Sequence, residues 1–366
     1  MNTQNILFFL LLGLFGCTSN VRKTDKNAGK NQIKFAKHVE IRSVNGYDQL
    51  HILNPKTHQV ETRFALVEAN SKAVVPANYI KIEVPIRNLV ALSSTFIGML
   101  DAIKALDCIV GTTNKDYISN PTVLKYLKSG KIIDFGDETS ITPEKLIQQK
   151  TQLIVYSGFG QPFPNAEKLE KLGVLTLSNY DWEEAHPLGK AEWIKVFGAL
   201  CGKQKEANAY FKSVVRQYNA IKEVAKKSSK HPKVIFGGMV GSIWYAPAGQ
   251  SFLAGVMKDA GFDYCYANEK GTASCEKSLE QMYKDQKGIL LWLNAEAISK
   301  QELLARNKKF ETFDAFQSGS IYTYVPSSDF FWEYSAVNPH WMLEDFAMIA
   351  GTIPKKKLHF YSRLKE

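Results

Sequence analysis

The stretch "SNYDWEEAHPLGKAEWIKVFGALCG", residues 178–202, decides the fold. It gathers Asp181, Glu183 and Glu184 beside His186, then turns at Leu188 into an apolar run. As chemistry, it would be an acid and histidine cluster; as structure, it is the approach to a helix. The pattern favours structure. Pro187 stands before the first turn, and from Leu188 to about Lys227 residues such as Trp193, Phe197, Leu200, Phe211, Val214 and Tyr218 recur at helical spacing, interrupted at Gly202. Glu192 and Lys195 read as ordinary residues of an exposed face. The chain has no H-E-x-x-H, G-x-S-x-G or P-loop pattern, so no catalytic residue is assigned. Residues 188–230 become a helical spine between two lobes.

On both sides of the spine, strand and helix patterns alternate with short connections. Residues 86–180 read as strand ("NLVALSS"), helix ("TFIGMLDAIKAL"), strand ("CIVGTT"), and so on through "VLTLSN". Residues 231–366 begin the same way with "KVIFGGMV" as one strand and end in the helix "HWMLEDFAMIAG". Such alternation predicts mostly parallel α/β sheets, hence two Rossmann-like lobes, residues 33–187 and 231–366. Residues 33–85 alternate apolar and polar between the turn signals "NGYD" and "NPKTHQ", and predict an extra set of antiparallel strands.

The chain has 366 residues, 45% of them hydrophobic, enough for two cores. Its formal charge of +10 is spread rather than striped with aromatics, which argues against a nucleic-acid partner. The first residues carry more. "ILFFLLLGLFGC", residues 6–17, is too short to span a bilayer and has the length of a secretory apolar region. It ends at a small residue and a cysteine, and Leu14-Phe15-Gly16-Cys17 resembles the lipobox of bacterial lipoproteins. That resemblance implies a signal peptide over residues 1–17, lipid on Cys17, and a polar tether over 18–32. The absence of an acidic run after Cys17 points to a periplasm-facing anchor in a Gram-negative bacterium. Four cysteines remain. Cys108 and Cys201 read as buried small hydrophobes, while Cys265 and Cys275 flank a loop and could bridge.

Two segments echo each other at fixed offsets. "SITPEKLIQQKTQLIVYSG" (140–158) and "EKSLEQMYKDQKGILLWLN" (276–294) each place a glutamate, Glu144 or Glu280, two residues after a hydroxyl residue and nine before a core-strand position. Thr142 and Ser278 therefore sit at helix N-caps and both glutamates in first turns. A first-turn carboxylate complements the helix dipole. A matched pair on two equivalent lobes also presents one face twice, as a two-fold symmetric partner requires.

These features together resemble a class III substrate-binding protein of ABC importers, the branch for iron-siderophores, haem and vitamin B12. The resemblance covers residues 75–350 and rests on "VPIRNLVALSSTFIGMLDAIKALDCIVG", "ITPEKLIQQKTQLIVY", "HPLGKAEWIKVFGALCGK", "WYAPAGQSFLAGVMKDAG" and "SLEQMYKDQKGILLWL" in that order. It implies two lobes joined by one long helix, a ligand between them, a monomer, and docking of Glu144 and Glu280 on a permease dimer with a cytoplasmic ATPase. The cargo would be an iron chelate, haem or a corrinoid, with no resident cofactor.

Sheets of this kind bind at the carboxyl ends of their strands. The loops there nominate Trp244, Tyr245, Trp332, Trp292, Tyr117, Ser94 and Trp182 as ligand contacts, since aromatics suit a flat, partly apolar cargo. A bare-metal site would need several His and carboxylate ligands, and only His186 and His340 fall in loops that could face a cleft, so no metal ligand is assigned. A hydrolase on the same architecture would need Ser93 or Ser157 activated by His340, and nothing in the sequence activates either serine.

Overall fold

The computed structural model describes residues 29–44, 46–324 and 330–366; Cys17, the signal peptide and most of the tether lie outside them. Thirty-odd elements form four sheets and a helical layer. The first four strands are β1 (Val39–Val44), β2 (Tyr47–Leu53), β3 (Val60–Glu68) and β4 (Ile80–Val84), paired in that order. β1–β2 and β2–β3 are antiparallel, as the alternation predicts, but β4 runs parallel to β3. Residues 69–79 carry the chain back along the sheet, and that crossover is what permits parallel pairing. Ahead of β1, Gln32 donates its backbone N–H to Ile41 at 2.8 Å, and Asn31 bridges to Arg42.

The first lobe is a fully parallel sheet of β5 (Leu89–Ala91), β6 (Ile109–Thr112), β7 (Ile133–Asp134), β8 (Leu153–Ser157) and β9 (Leu175–Asn179), in the order β7-β6-β5-β8-β9. Its helices are α1 (Ser94–Ala102), α2 (Pro121–Lys128), α3 (Pro143–Gln148) and α4 (Ala166–Lys171). Successive strand residues face opposite sides of a sheet, so Leu89, Ala91 and Val155 join the main core while Val90, Ile154 and Tyr156 build a second core on the other face.

The expected spine is three helices: α5 (Pro187–Glu192), α6 (Ile194–Leu200) and the long α7 (Gln204–Lys226). Gly202, at φ +67, makes the break between α6 and α7. At 1.5 Å per residue α7 is about 34 Å long. Ala207, Phe211, Val214 and Tyr218 form its buried stripe, packed on α6 and, in the second lobe, on α8 (Phe252–Ala260) and α13, the closing helix Pro339–Ala350.

In the second lobe "KVIFGGMV" is two strands rather than one, because Gly237 at φ +110 bends the chain between β10 (Lys233–Phe236) and β11 (Gly238–Val240). β11 turns back with β12 (Ile243–Pro247) and β14 (Ser274–Ser278) in a small antiparallel sheet. The main sheet adds β13 (Asp263–Tyr264), β15 (Leu291–Leu293), β16 (Ile321–Tyr324) and β17 (Tyr361–Arg363) to β10, in the order β13-β10-β15-β16-β17. All pairs are parallel except β16–β17. The remaining helices are α9 (Leu279–Asp285), α10 (Lys300–Arg306), α11 (Asp314–Ser318) and α12 (Phe331–Tyr334). The architecture is the two-lobed α/β fold with a β-rich N-terminal extension.

Candidate functional site: a cleft at the strand ends

The acidic stretch before α5 divides into two jobs. Glu184 and Glu192 are buried, and neither is an exposed-face residue. Glu192 accepts the backbone N–H groups of Lys34, Phe35 and Ala36 at 2.6–3.1 Å and the Lys195 ammonium at 2.6 Å. Glu184 accepts the N–H groups of Lys37 and His38 and the Trp193 indole N–H, at 2.9–3.1 Å. Five consecutive backbone donors from the N-terminal segment thus end on two carboxylates, which explains why charged residues tolerate that burial. Burial pushes the Glu184 carboxyl up to about 7, although the N–H donors pull the other way. His186 is the α5 N-cap, its Nδ1 accepting the Leu188 N–H at 3.0 Å. The correction for Glu192 and Lys195 has a plain cause: the backbone groups that cover them, Lys34 to Ala36 for Glu192 and the Gln32 carbonyl for Lys195, lie about 160 residues away in sequence, where no local pattern shows them.

Asp181 does something else. It follows β9 and lines a cavity of about 340 Å³ between the lobes. The first lobe supplies Ser93, Ser94 and Thr95 from the β5–α1 turn, Ser157 from the end of β8, then Asp181 and Trp182. The second supplies Phe236 after β10, Asn294 after β15, Tyr324 at the end of β16, and Trp332 on α12. Both parallel sheets therefore point their carboxyl ends into one space, the position in which such sheets bind ligands. Trp182 and Trp332, 42% and 37% exposed, are its aromatic walls. The Trp182 indole N–H donates to the Gly158 carbonyl at 3.0 Å, which fixes the ring, and Trp332 stands edge-on to Tyr324. Lys190 of α5 reaches the same cavity and rests over the Phe252 ring at 5.3 Å.

Of the seven residues expected to contact ligand, the structure places Ser94, Trp182 and Trp332 at this cavity. Trp244 and Trp292 are fully buried, their rings tilted against each other with centroids 5.2 Å apart and enclosed by Phe310 and Phe313. Their indole N–H groups donate inward to the carbonyls of Phe236 and Gly237. They are corrected from cleft contacts to core, because a ring without an exposed face has none to offer. Tyr245, beside them on β12, and Tyr117, half exposed in a turn before α2, do not line the cavity. Asp181 and Lys190 were missed, since each reads as part of a helix approach. His340 is buried in the first turn of α13, where burial pushes its imidazole down to about 4, and it is not at the cleft. Among the described residues no group of three or more His, Cys, Asp or Glu could hold a metal ion.

The echoed glutamates occupy equivalent places. Thr142 caps α3 and Ser278 caps α9, their hydroxyls accepting the N–H of Lys145 (3.5 Å) and Gln281 (3.1 Å). α3 leads into β8, neighbour of β5, and α9 into β15, neighbour of β10. A helix leading into a parallel strand runs opposite to it, so both first turns lie on the side where the strands end. Glu144 and Glu280 are exposed there. The cap donors hold the Glu144 carboxyl below its usual range.

A third buried carboxylate ties the lobes. Glu333 of α12 accepts the backbone N–H groups of Ser119 and Asn120, and Tyr334 donates its hydroxyl to Asp101. Gly98 of α1 makes this approach possible: a Cβ there would stand 1.7 Å from the Glu333 carbonyl oxygen.

Comparison with known proteins agrees with this geometry. An uncharacterized lipoprotein of Methanocaldococcus jannaschii is 27% identical over 376 residues, covering 94% of this chain and 88% of its own length. A second uncharacterized lipoprotein of that organism is 28% identical over 304 residues, covering 79% and 75%. These relatives are archaeal, so the Gram-negative host expected from the sequence has no support. Among solved structures, a periplasmic heme binding protein of Vibrio cholerae superposes with a TM-score of 0.57 at 15% identity, over 73% of this chain and 99% of that one. The periplasmic vitamin B12 binding protein of the same species gives 0.52 at 15%, over 74% and 99%. At such identities the likeness is one of fold. The family model described as periplasmic binding protein matches residues 89–327, from β5 of the first lobe through the linking helices to the end of β16 in the second, and the chain belongs to that family of binding proteins, not to an enzyme family.

Proposed function

We propose that this protein is the substrate-binding component of an ABC importer, which captures an iron complex, siderophore or haem, between its lobes and delivers it to a permease. The observation that carries this is the cavity at the carboxyl ends of two parallel sheets, walled by Trp182 from one lobe and Trp332 from the other. Two aromatic faces with a few polar groups suit a large, partly apolar ligand. The solved relatives by fold include proteins named for heme, for vitamin B12 and for Fe3+-hydroxamate transport. Cobalamin is the second reading, favoured by the same aromatic walls.

In this reading Cys17 carries the lipid that holds the chain on the outer face of a membrane. The protein acts as a monomer. Glu144 and Glu280, in matched first turns on the side of the cleft, are the two contacts for a permease dimer. The α12 clamp keeps the lobes nearly fixed, so closure on the ligand is small.

The test is native mass spectrometry of the full chain, purified in detergent, with cobalamin, haem and several ferric siderophores in equal amounts. Retention of one iron complex at 1:1 supports the reading. Retention of cobalamin alone selects the second, and retention of none rejects both.

A further inference from the structure

Buried carboxylates in this protein are met almost everywhere by backbone donors. Glu184, Glu192 and Glu333 accept theirs as described, and Asp345 accepts the N–H groups of His359, Phe360 and Tyr361. Asp181 is met only in part, the backbone N–H groups of Asp181 and Trp182 lying near its carboxyl. It is only 2% exposed, yet its Oδ2 has no hydrogen-bond partner, alone among the buried carboxylate oxygens of the described residues. The buried Asn294 Oδ1, just after β15 where the backbone is held at φ +58, is likewise unpartnered. Both residues line the same space, one from each lobe. An unmet buried acceptor is costly, and two in one cavity mark the places where something else supplies the donors.

We propose that the cleft takes a ligand bearing at least two hydrogen-bond donors, amide N–H or ammonium, one meeting Asp181 Oδ2 and the other Asn294 Oδ1. This rests on the reading that the cleft holds the cargo, and narrows its chemical class. A chelate edged only with carboxylates would leave both acceptors unmet and bring like charge to Asp181. Lys190, the cation in the cavity, favours the ionised Asp181 through its charge but leaves Oδ2 without a hydrogen bond. A donor arriving at Oδ2 favours the ionised carboxylate, against the burial that raises its pKa. Because the two acceptors sit on opposite lobes, the donors must lie at separate ends of the ligand.

The test titrates the full chain in detergent, by tryptophan fluorescence, with two ferric tris-hydroxamates that share one iron-binding core. One ends in a primary ammonium and the other in a carboxylate. The ammonium chelate is expected to bind at least tenfold more tightly, and Asp181→Asn to remove most of that preference. Equal binding, or a carboxylate preference that Lys190→Ala abolishes, overturns the inference and leaves the importer reading intact. If neither chelate binds, the hydroxamate form of that reading fails, and melting of the empty protein decides the inference. Asp181→Asn melting at or above wild type supports a carboxylate waiting for a donor, whereas a lower melting temperature shows a structural aspartate and overturns it.

Discussion

Glu333, from the second lobe, accepts the backbone N–H of Asn120, at the start of α2 in the first, at 3.0 Å. The bond ties the lobes where Gly98 lets α1 and α12 touch, next to the spine, whose Tyr210 donates its hydroxyl to Asn338 at 2.6 Å.

Removing that clamp should loosen the lobes. Glu333→Ala strands the buried N–H of Asn120 and the part-buried one of Ser119 and should cost about 3 kcal/mol, while Gly98→Ala forces a methyl onto the Glu333 carbonyl with a similar cost. Thermal melts check both. Hydrogen exchange at Ser119 and Asn120 should rise in Glu333→Ala, and unchanged protection there would remove the clamp from the account.

The clasp on residues 34–38 should depend on pH. Because burial raises the folded carboxyl of Glu184 from 4.5 to about 7, the native state binds more protons than the unfolded one between those values. Stability contributed by this group is therefore greatest below 4.5 and declines as pH rises to about 7. Melting curves across that window should slope more gently in Glu184→Gln. Glu192→Ala, which strands the buried Lys195 charge, should cost about 3–5 kcal/mol and expose the segment before β1 to limited proteolysis.

Cleft and core tryptophans should separate cleanly. Trp182→Ala and Trp332→Ala should weaken ligand binding tenfold or more with little change in melting. Trp244→Ala and Trp292→Ala should cost about 3–5 kcal/mol of stability, because each empties a fully enclosed site. A loss of affinity without loss of stability in Trp244→Ala would return that ring to the binding site.

The double change Glu144→Ala, Glu280→Ala should leave affinity for cargo unchanged and lower uptake in cells or proteoliposomes. Both side chains are exposed on α3 and α9, away from the cavity lining. Collapse of affinity would contradict a docking role.

Cys108 and Cys201, rather than the loop pair, are the cysteines in contact, with their sulfurs 3.6 Å apart and both buried. Protein matured in an oxidising compartment should carry this pair as a disulfide. Peptide mapping without reductant should find the two peptides joined, and free thiols at both positions would refute the expectation.

How much of this was legible in the residues depended on the range of the interactions involved. The two parallel sheets, the spine and the matched first turns of α3 and α9 follow from local periodicity and capping residues, which act within a few positions and are written into the chain. So does the family, through the order of those segments. What lay beyond were the decisions made between distant residues. Glu192 is an exposed-face residue by its helical neighbours and a buried one because Lys34, Phe35 and Ala36 fold back onto it. Trp244 follows a glycine-bounded turn and Trp292 stands near a strand end, as cleft aromatics do, yet Phe310 and Phe313 enclose them. Asp181 looked like the approach to a helix until the second lobe placed Asn294 across a shared cavity. Sequence determined which elements form and in what order; tertiary structure alone decided which polar atoms found partners, because a partner in a low-dielectric interior comes from wherever the fold brings one.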